Sequence, residues 1–542
     1  MSQLDRRGLL RAGLGIGGAA ALSALGRAQG AAAAPGTAIA EPYVVVETAE
    51  GRLRGGHSRG ALAFKGVAYG GSVAGAARFK APPPLPSWSG VRDALRPGPP
   101  SIQPPGGTYG ELEPAYSEDC LTLSLWTPAV GDGRKRPVLF YSHGGGFSTG
   151  SGGHVATDGG HLARDHDVVV VSSNHRLGLL GYLYLGDIGG EAYAGGANAG
   201  MQDIAAALAW VSRNIAAFGG DPDNLLVFGE SGGGGKTCAL CAMPSARGRF
   251  HKVGVQSGPL PRALSRDRAT ATARSVLAQL QISPSGLDAL ASVPTERLLR
   301  AQAAVQGRFG PTLDGTVISQ HPFDPAPAPW IAGLPLLIGT KRDEARFDVW
   351  ASKQSDIFKM DEAALVDRVR QQGGDAAVNQ LLPAFRQDRP GATPGEIYIA
   401  LTTAAEFWVG SVQIAQRMAA RPGAPVYMYR DDYESNFPIA GTDQTLGASH
   451  ATDAAATFNN PDYAGLMGTR PDRAAMGLTL SAFWASFART GQPAAPGQPA
   501  WPTYDLARRS TLLIDLACKV EDDPHRGERL ACAQFPQMGQ PG

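Results

Sequence analysis

Short continuous apolar runs punctuate the chain, separated by stretches in which apolar residues recur every three or four positions. Residues 138–142, 168–172, 225–228, 252–256, 334–339, 426–429 and 512–514 form the first kind of segment. Runs of this length, bounded by turn residues, predict buried strands. Residues 121–126 alternate apolar and polar positions, as a half-buried strand does. Residues 43–47 and 51–54 predict a short hairpin, and 61–66 a further strand. Ile204, Leu208, Val211 and Ile215 recur at i, i+4, i+7 and i+11, which is one face of a helix. Gly219-Gly220 ends that helix, and residues 221–224 turn the chain into the next strand. The Pro-rich segment 81–105 can be neither helix nor central strand, so it predicts a wrapping surface loop. Strands alternating with helices predict an α/β fold with a mostly parallel sheet covered on both faces. No internal repeat or linker is visible, so residues 42–535 read as a single domain with long insertions.

Composition narrows the class. The 542 residues carry a formal net charge of +1 and no basic block, which gives no support for nucleic acid as a partner. No run of about 18 apolar residues occurs outside the N-terminus, so no membrane span is expected. Five cysteines are too few for a disulfide scaffold and have no metal-ligand spacing. Neither a metal nor another cofactor is expected. At the N-terminus, Arg6-Arg7 precedes a mildly apolar Ala/Gly/Leu run to Leu25. This resembles a twin-arginine signal peptide over 1–34, cleaved within 28–35, and implies a bacterial periplasmic or secreted protein.

Candidate chemistry centres on Gly229-Glu230-Ser231-Gly232-Gly233, directly after the apolar run 225–228. G-x-S-x-G places a serine on a strained strand-to-helix turn with its hydroxyl clear of the sheet. Glycines flank it because helix and strand backbones pass too close for a Cβ. A serine hydroxyl needs a histidine base, and that base needs an acid to hold its tautomer. In this architecture the chain order is Ser, acid, His. Of His251, His321, His450 and His525, only His450 lies in a loop following a late strand. The acid must then precede it. Asp343 and Glu344 both leave the end of the strand at 334–339, where α/β sheets build their sites, and the pattern does not choose between them. Acyl transfer also requires N–H donors. His143-Gly-Gly-Gly-Phe147 follows a strand with backbone bare enough to approach a carbonyl, each donor contributing about 3–4 kcal/mol to the transition state.

These segments, with Phe64-Lys-Gly-Val-Ala-Tyr69, Glu118-Asp-Cys-Leu-Thr-Leu-Ser124, Asn174-His-Arg-Leu-Gly178, Gln256-Ser-Gly258 and Lys341-Arg-Asp-Glu344, resemble the type B carboxylesterases, the cholinesterase-like branch of the α/β-hydrolases. The resemblance covers about residues 43–530. It implies a serine carboxylic-ester hydrolase with insertions forming a gorge or cap, acting on small-molecule esters through an acyl-enzyme. It further implies Ser231 as nucleophile, His450 as base, Glu344 as acid, and Gly145, Gly146 and Gly232 as oxyanion donors, with Glu230 and Ser257 in support. The same triad would also serve an amide, carbamate, lactone or aromatic polyester. A catalytically silent adhesion protein of this family would have lost triad residues.

Departures from the family pattern are specific. Gly232 and Gly235 stand where alanine is commoner, and Lys236 where a small residue is usual. Ser101 stands about where the family has a disulfide partner for Cys120. Cys518 and Cys532 are a possible pair, whereas Cys238 and Cys241 are expected to pack a helix. Trp88, Trp350 and Trp408 are candidates for lining or roofing a pocket. Residues 101–117 contain no tryptophan to hold a quaternary ammonium, which disfavours choline esters.

Overall fold

The computed structural model describes residues 42–105 and 115–535; the signal-peptide reading of 1–34 lies outside them. In chain order the strands are β1 (Val44–Glu47), β2 (Arg52–Ser58), β3 (Ala61–Ala68), β4 (Val91–Asp93), β5 (Thr122–Thr127), β6 (Arg136–Ser142), β7 (Val169–Ser173) and β8 (Gly220–Glu230). There follow β9 (Lys252–Gln256), β10 (Leu336–Lys341), β11 (Val426–Asp431), β12 (Ser435–Pro438), β13 (Thr445–Gly447), β14 (Ser510–Ile514) and β15 (Lys519–Asp522). One large sheet runs in the order β1-β2-β3-β5-β7-β6-β8-β9-β10-β11-β14-β15, with β4 beside β2. From β7 to β14 every neighbouring pair is parallel, and antiparallel strands close both ends.

The apolar runs are continuous because the central strands are buried on both faces. Leu225 and Val227 of β8 join the core under the helix Ala199–Asn214, while Leu226 and Phe228 face the helix Arg473–Thr490. On the second face Phe228 sits among Tyr141, Phe458 and Trp484, with ring centroids at 5.1, 6.0 and 5.2 Å. Truncating such a ring to alanine costs about 3–5 kcal/mol. Ile204, Leu208, Val211 and Ile215 are all fully buried, as their spacing predicts. Residues 221–224 form an irregularity inside β8: Arg136 pairs with Gly220, and pairing resumes at Val138 with Leu225.

Among the described residues one helical stretch, Pro394–Ala419, is long and apolar enough to cross a membrane, yet 67% of its apolar window is buried inside the protein. It packs as a core element against the helix Glu362–Asp388. All five cysteines are free thiols. Cys518 and Cys532 lie in separate apolar clusters and form no bridge. Cys238 and Cys241 are buried on the helix after Ser231, and Cys120 is buried beside Ser101, its thiol pushed up to about 12 by desolvation.

Candidate active site

Ser231 is the turn between β8 and the helix Gly232–Leu240, with φ +57° and ψ −127°, a conformation a non-glycine residue adopts only when its surroundings enforce it. The surroundings are backbone. A Cβ on Gly229 would stand 2.4 Å from the carbonyl carbon of Gly233, and one on Gly233 would stand 1.9 Å from the Ser142 carbonyl oxygen. The Ser231 N–H donates to Gln256 O at 2.9 Å, tying the turn to the neighbouring strand. The hydroxyl is thereby fixed at the carboxyl edge of the parallel strands.

His450 arrives from the loop after β13 and meets Ser231 there, with Nε2 2.7 Å from the hydroxyl oxygen and Nδ1 2.6 Å from Glu344 Oε2. Glu344 follows β10 and is fully buried; its other oxygen accepts the Lys341 N–H at 2.7 Å. A carboxylate can only accept, so Nδ1 carries the imidazole proton and Nε2 is left to accept the serine hydroxyl. Asp343 is not brought in: its carboxylate pairs with Arg342 at 2.9 Å. Burial lowers the affinity of His450 for a proton, but the carboxylates of Glu230, Glu344 and Asp348 outweigh it and raise its pKa. Glu230 lies under the site, Oε1 3.4 Å from Nε2, and desolvation pushes it up to about 8 against the opposing pull of His450.

The turn His143–Phe147 follows β6 and uses positive φ at Gly145 (+85°) and Gly146 (+61°). Two of its carbonyls are held by hydrogen bonds. His143 Nδ1 donates to Gly144 O at 2.9 Å, and the Ser148 and Thr149 N–H groups donate to Gly145 O at 3.3 and 3.0 Å. The N–H groups of Gly145 and Gly146 belong to these same peptides and make no hydrogen bond among the described residues, nor does that of Gly232 at the open end of its helix. The turn packs on the helix start so closely that a Cβ on Gly232 would lie 1.9 Å from Gly146 O. Ser257 stands nearby with φ +47°, and its buried hydroxyl has no hydrogen-bond partner among the described residues.

Two cavities meet at Ser231. One, about 790 Å³, is walled by Phe347, Trp350, Phe407 and Ile439, with Asp348 and Lys353 also on its wall. The other, about 480 Å³, runs past Phe147, Leu260, Leu264 and Phe309. Phe407 separates them and lies 4.8 Å from the His450 ring centroid, with Phe347 at 5.5 Å on another side. Of the three tryptophans only Trp350 lines a cavity at the serine. Trp408 is core, and Trp88 stacks with Arg92 beside β2 and β4. Phe347 lies on the helix Arg346–Ala351 and Phe407 on the π-helical turn Ala404–Trp408, and apolar spacing does not mark which residue of a helical segment faces a cavity. As for metal donors, Asp388, His525 and Glu528 cluster away from the site, but Arg389 binds Glu528 at 2.6 Å and the Glu528 N–H donates to Asp388.

The sheet, the serine turn and the glycine loop are those of an α/β-hydrolase. The carboxylesterase family model matches residues 42–532, and the chain belongs to that family. It is 34% identical to para-nitrobenzyl esterase of Bacillus subtilis (strain 168) over 518 residues, covering 92% of this chain and 100% of that one. It is 33% identical to phenmedipham hydrolase of Pseudarthrobacter oxydans over 513 residues, 90% of this chain and 98% of the other. The crystal structure of Geobacillus stearothermophilus carboxylesterase EST55 at pH 6.2 aligns with a TM-score of 0.79 and 38% identity, covering 90% of this chain and 99% of that one. The protein is a carboxylic-ester hydrolase.

Proposed function

We propose that Ser231 is the nucleophile of a two-step acyl transfer, with His450 as general base, Glu344 as the acid that orients it, and the N–H groups of Gly145, Gly146 and Gly232 as the oxyanion site. The unbroken contact from Ser231 through both imidazole nitrogens to buried Glu344 carries this reading. Ser231 attacks the ester carbonyl as its proton passes to Nε2. Glu344 stabilises the imidazolium, and the carbonyl oxygen becomes an oxyanion facing the three donors. The alcohol leaves with the proton from Nε2. Water then repeats the sequence on the acyl-enzyme, releasing the acid and restoring Ser231.

The two cavities divide the substrate at the scissile carbonyl. The aromatic walls of the larger one suit an aryl or medium-length alkyl group, and the para-nitrobenzyl esterase relative adds support for benzylic esters. Residues 42–535 act as one catalytic domain, and residues 1–34 as an export signal that places it outside the cytoplasm. Replacing Arg6 and Arg7 by lysine should leave the full-length chain in the cytoplasm; equal export of that variant would remove the export reading.

The decisive experiment is hydrolysis of p-nitrophenyl esters from acetate to decanoate, and of a para-nitrobenzyl ester, by wild type and Ser231→Ala. A folded variant at least about a thousandfold slower in kcat is expected. Retained activity would remove Ser231 as nucleophile.

A further inference from the structure

Lys236 is wholly buried on the helix Gly232–Leu240, out of reach of water. Its Nζ donates to the His143 carbonyl oxygen at 2.9 Å and stands 5.7 Å from the centroid of the Phe147 ring. His143 opens the glycine turn and Phe147 closes it, so one ammonium group contacts both ends. The next carbonyl along, Gly144 O, is held by His143 Nδ1, and the one after, Gly145 O, by Ser148 and Thr149. Three successive glycines lack the Cβ that would restrict their backbone, so the orientation of these peptides depends on the groups holding their carbonyls. A flip of either of the last two peptides would turn a carbonyl oxygen, instead of an N–H, toward the serine.

We propose that Lys236 is a positioning residue for the oxyanion site, pinning the turn His143–Phe147 from behind so that the Gly145 and Gly146 N–H groups stay aimed at the reacting carbonyl oxygen. The proposal rests on the reading of those glycines as oxyanion donors.

An uncharged side chain would fill the same space without the cost of burying an amine, so packing alone does not account for a lysine here. The ionisable groups that face it are Glu230 from β8 and the imidazoles of His143 and His175. The two rings stack at 4.5 Å, and burial together with the lysine keeps both well below the usual histidine range. Burial draws Lys236 itself down to about 7, against the opposing pull of Glu230. The amine is therefore charged below neutrality, where its bond to the carbonyl is charge-assisted and strongest.

The test compares wild type with Lys236→Met and Lys236→Ser. Thermal melting establishes folding, and a p-nitrophenyl phosphonate that labels the nucleophilic serine is followed by peptide mapping. At pH 6.5, kcat, KM and the affinity of a trifluoromethyl ketone are then measured; the ketone's adduct carries an oxyanion. The expected result is labelling of Ser231 in all three proteins. In the folded variants kcat should fall about tenfold to a hundredfold, the affinity of the ketone should fall in parallel, and KM should stay within about twofold. Unchanged kcat and inhibitor affinity in a folded variant overturn the proposal and leave the reading of Ser231 intact. A rise in KM at constant kcat overturns it too, because Lys236 would then shape the cavity. Loss of folding in both variants overturns it in favour of a purely structural charge. Failure of the phosphonate to label Ser231 in wild type removes the reading on which the proposal rests.

Discussion

Glu344 Oε2 lies 2.6 Å from Nδ1 of His450, which is 106 residues further along the chain, whereas Asp343 on the same turn pairs with Arg342. Two adjacent carboxylates thus have separate environments, one buried against the imidazole and one in a partly exposed ion pair. Removing charge from the first leaves Nδ1–H without its anionic acceptor and lets the wrong tautomer compete. Glu344→Gln should lower kcat by about a thousandfold to ten-thousandfold in p-nitrophenyl acetate hydrolysis. Asp343→Asn should stay within about twofold. The reverse ranking would show that the acid had been assigned to the wrong residue.

Gly232 and Gly146 touch backbone to backbone, and a Cβ at position 232 would enter that contact at 1.9 Å from the Gly146 oxygen. The Gly235 N–H on Ser231 O at 3.2 Å ties the helix start, so a Cβ at position 232 would push the glycine turn and the helix start apart. Gly232→Ala should therefore displace the proposed oxyanion donors, lowering kcat by about a hundredfold or more while the melting temperature changes little. A crystal structure of the variant with the turn unmoved and kcat preserved would contradict this. The substitution is informative because alanine is common at this position in the family that the sequence resembles.

The loop after β7 is fixed by a pair with no access to water. Arg176 and Asp203, each almost fully buried, meet at 2.8 Å (Nε to Oδ2) and 2.6 Å (Nη2 to Oδ1), and the Arg176 N–H also donates to Asp203. Asp203→Ala would leave a buried guanidinium uncompensated, at a cost of about 3–5 kcal/mol. The urea midpoint should fall accordingly. Asp93→Ala removes an equally close partner from Arg54, but on the surface, and should leave the midpoint unchanged. Equal shifts for the two variants would mean that burial is not what sets the cost.

The parts legible in the sequence were those in which local pattern and tertiary setting agree. Leu225 to Phe228 predict a doubly buried strand because apolar cores occupy both faces, and Gly229 and Gly233 announce the serine turn because backbone contacts forbid anything larger. The choice of Glu344 over Asp343 was not legible from pattern: both leave the same strand end, and only the direction of the turn decides. It came through the family resemblance. Phe347 and Phe407 were missed because helix periodicity does not say which apolar residue faces a cavity. Trp88 and Trp408 illustrate the same limit from the other side, since tryptophans suit core and surface stacking as readily as a pocket wall. Lys236 stood out only as a departure, and its bond to His143 depends on two segments 93 residues apart.

Glu230 sets the last expectation, which concerns pH. Its carboxyl lies 3.4 Å from Nε2 of His450, the nitrogen that in the proposed mechanism must be unprotonated to accept the Ser231 proton. As a carboxylate it favours the imidazolium, and the raised pKa of His450 reflects it together with Glu344. Desolvation raises Glu230 itself to about 8, so across the neutral range the two groups compete for one proton, and the imidazolium form is inactive as a base. kcat/KM should therefore rise with pH through a limb displaced above the ordinary histidine value. Glu230→Gln removes the neighbouring charge, leaving Glu344 as the only carboxylate in contact with the ring. The sign follows: without Glu230 the imidazolium is less favoured, the His450 pKa falls, and the acid limb of kcat/KM moves to lower pH. The maximal rate at alkaline pH should change less than the position of the limb. A limb that stays in place, or moves to higher pH, would show that Glu230 does not act on His450 through its charge.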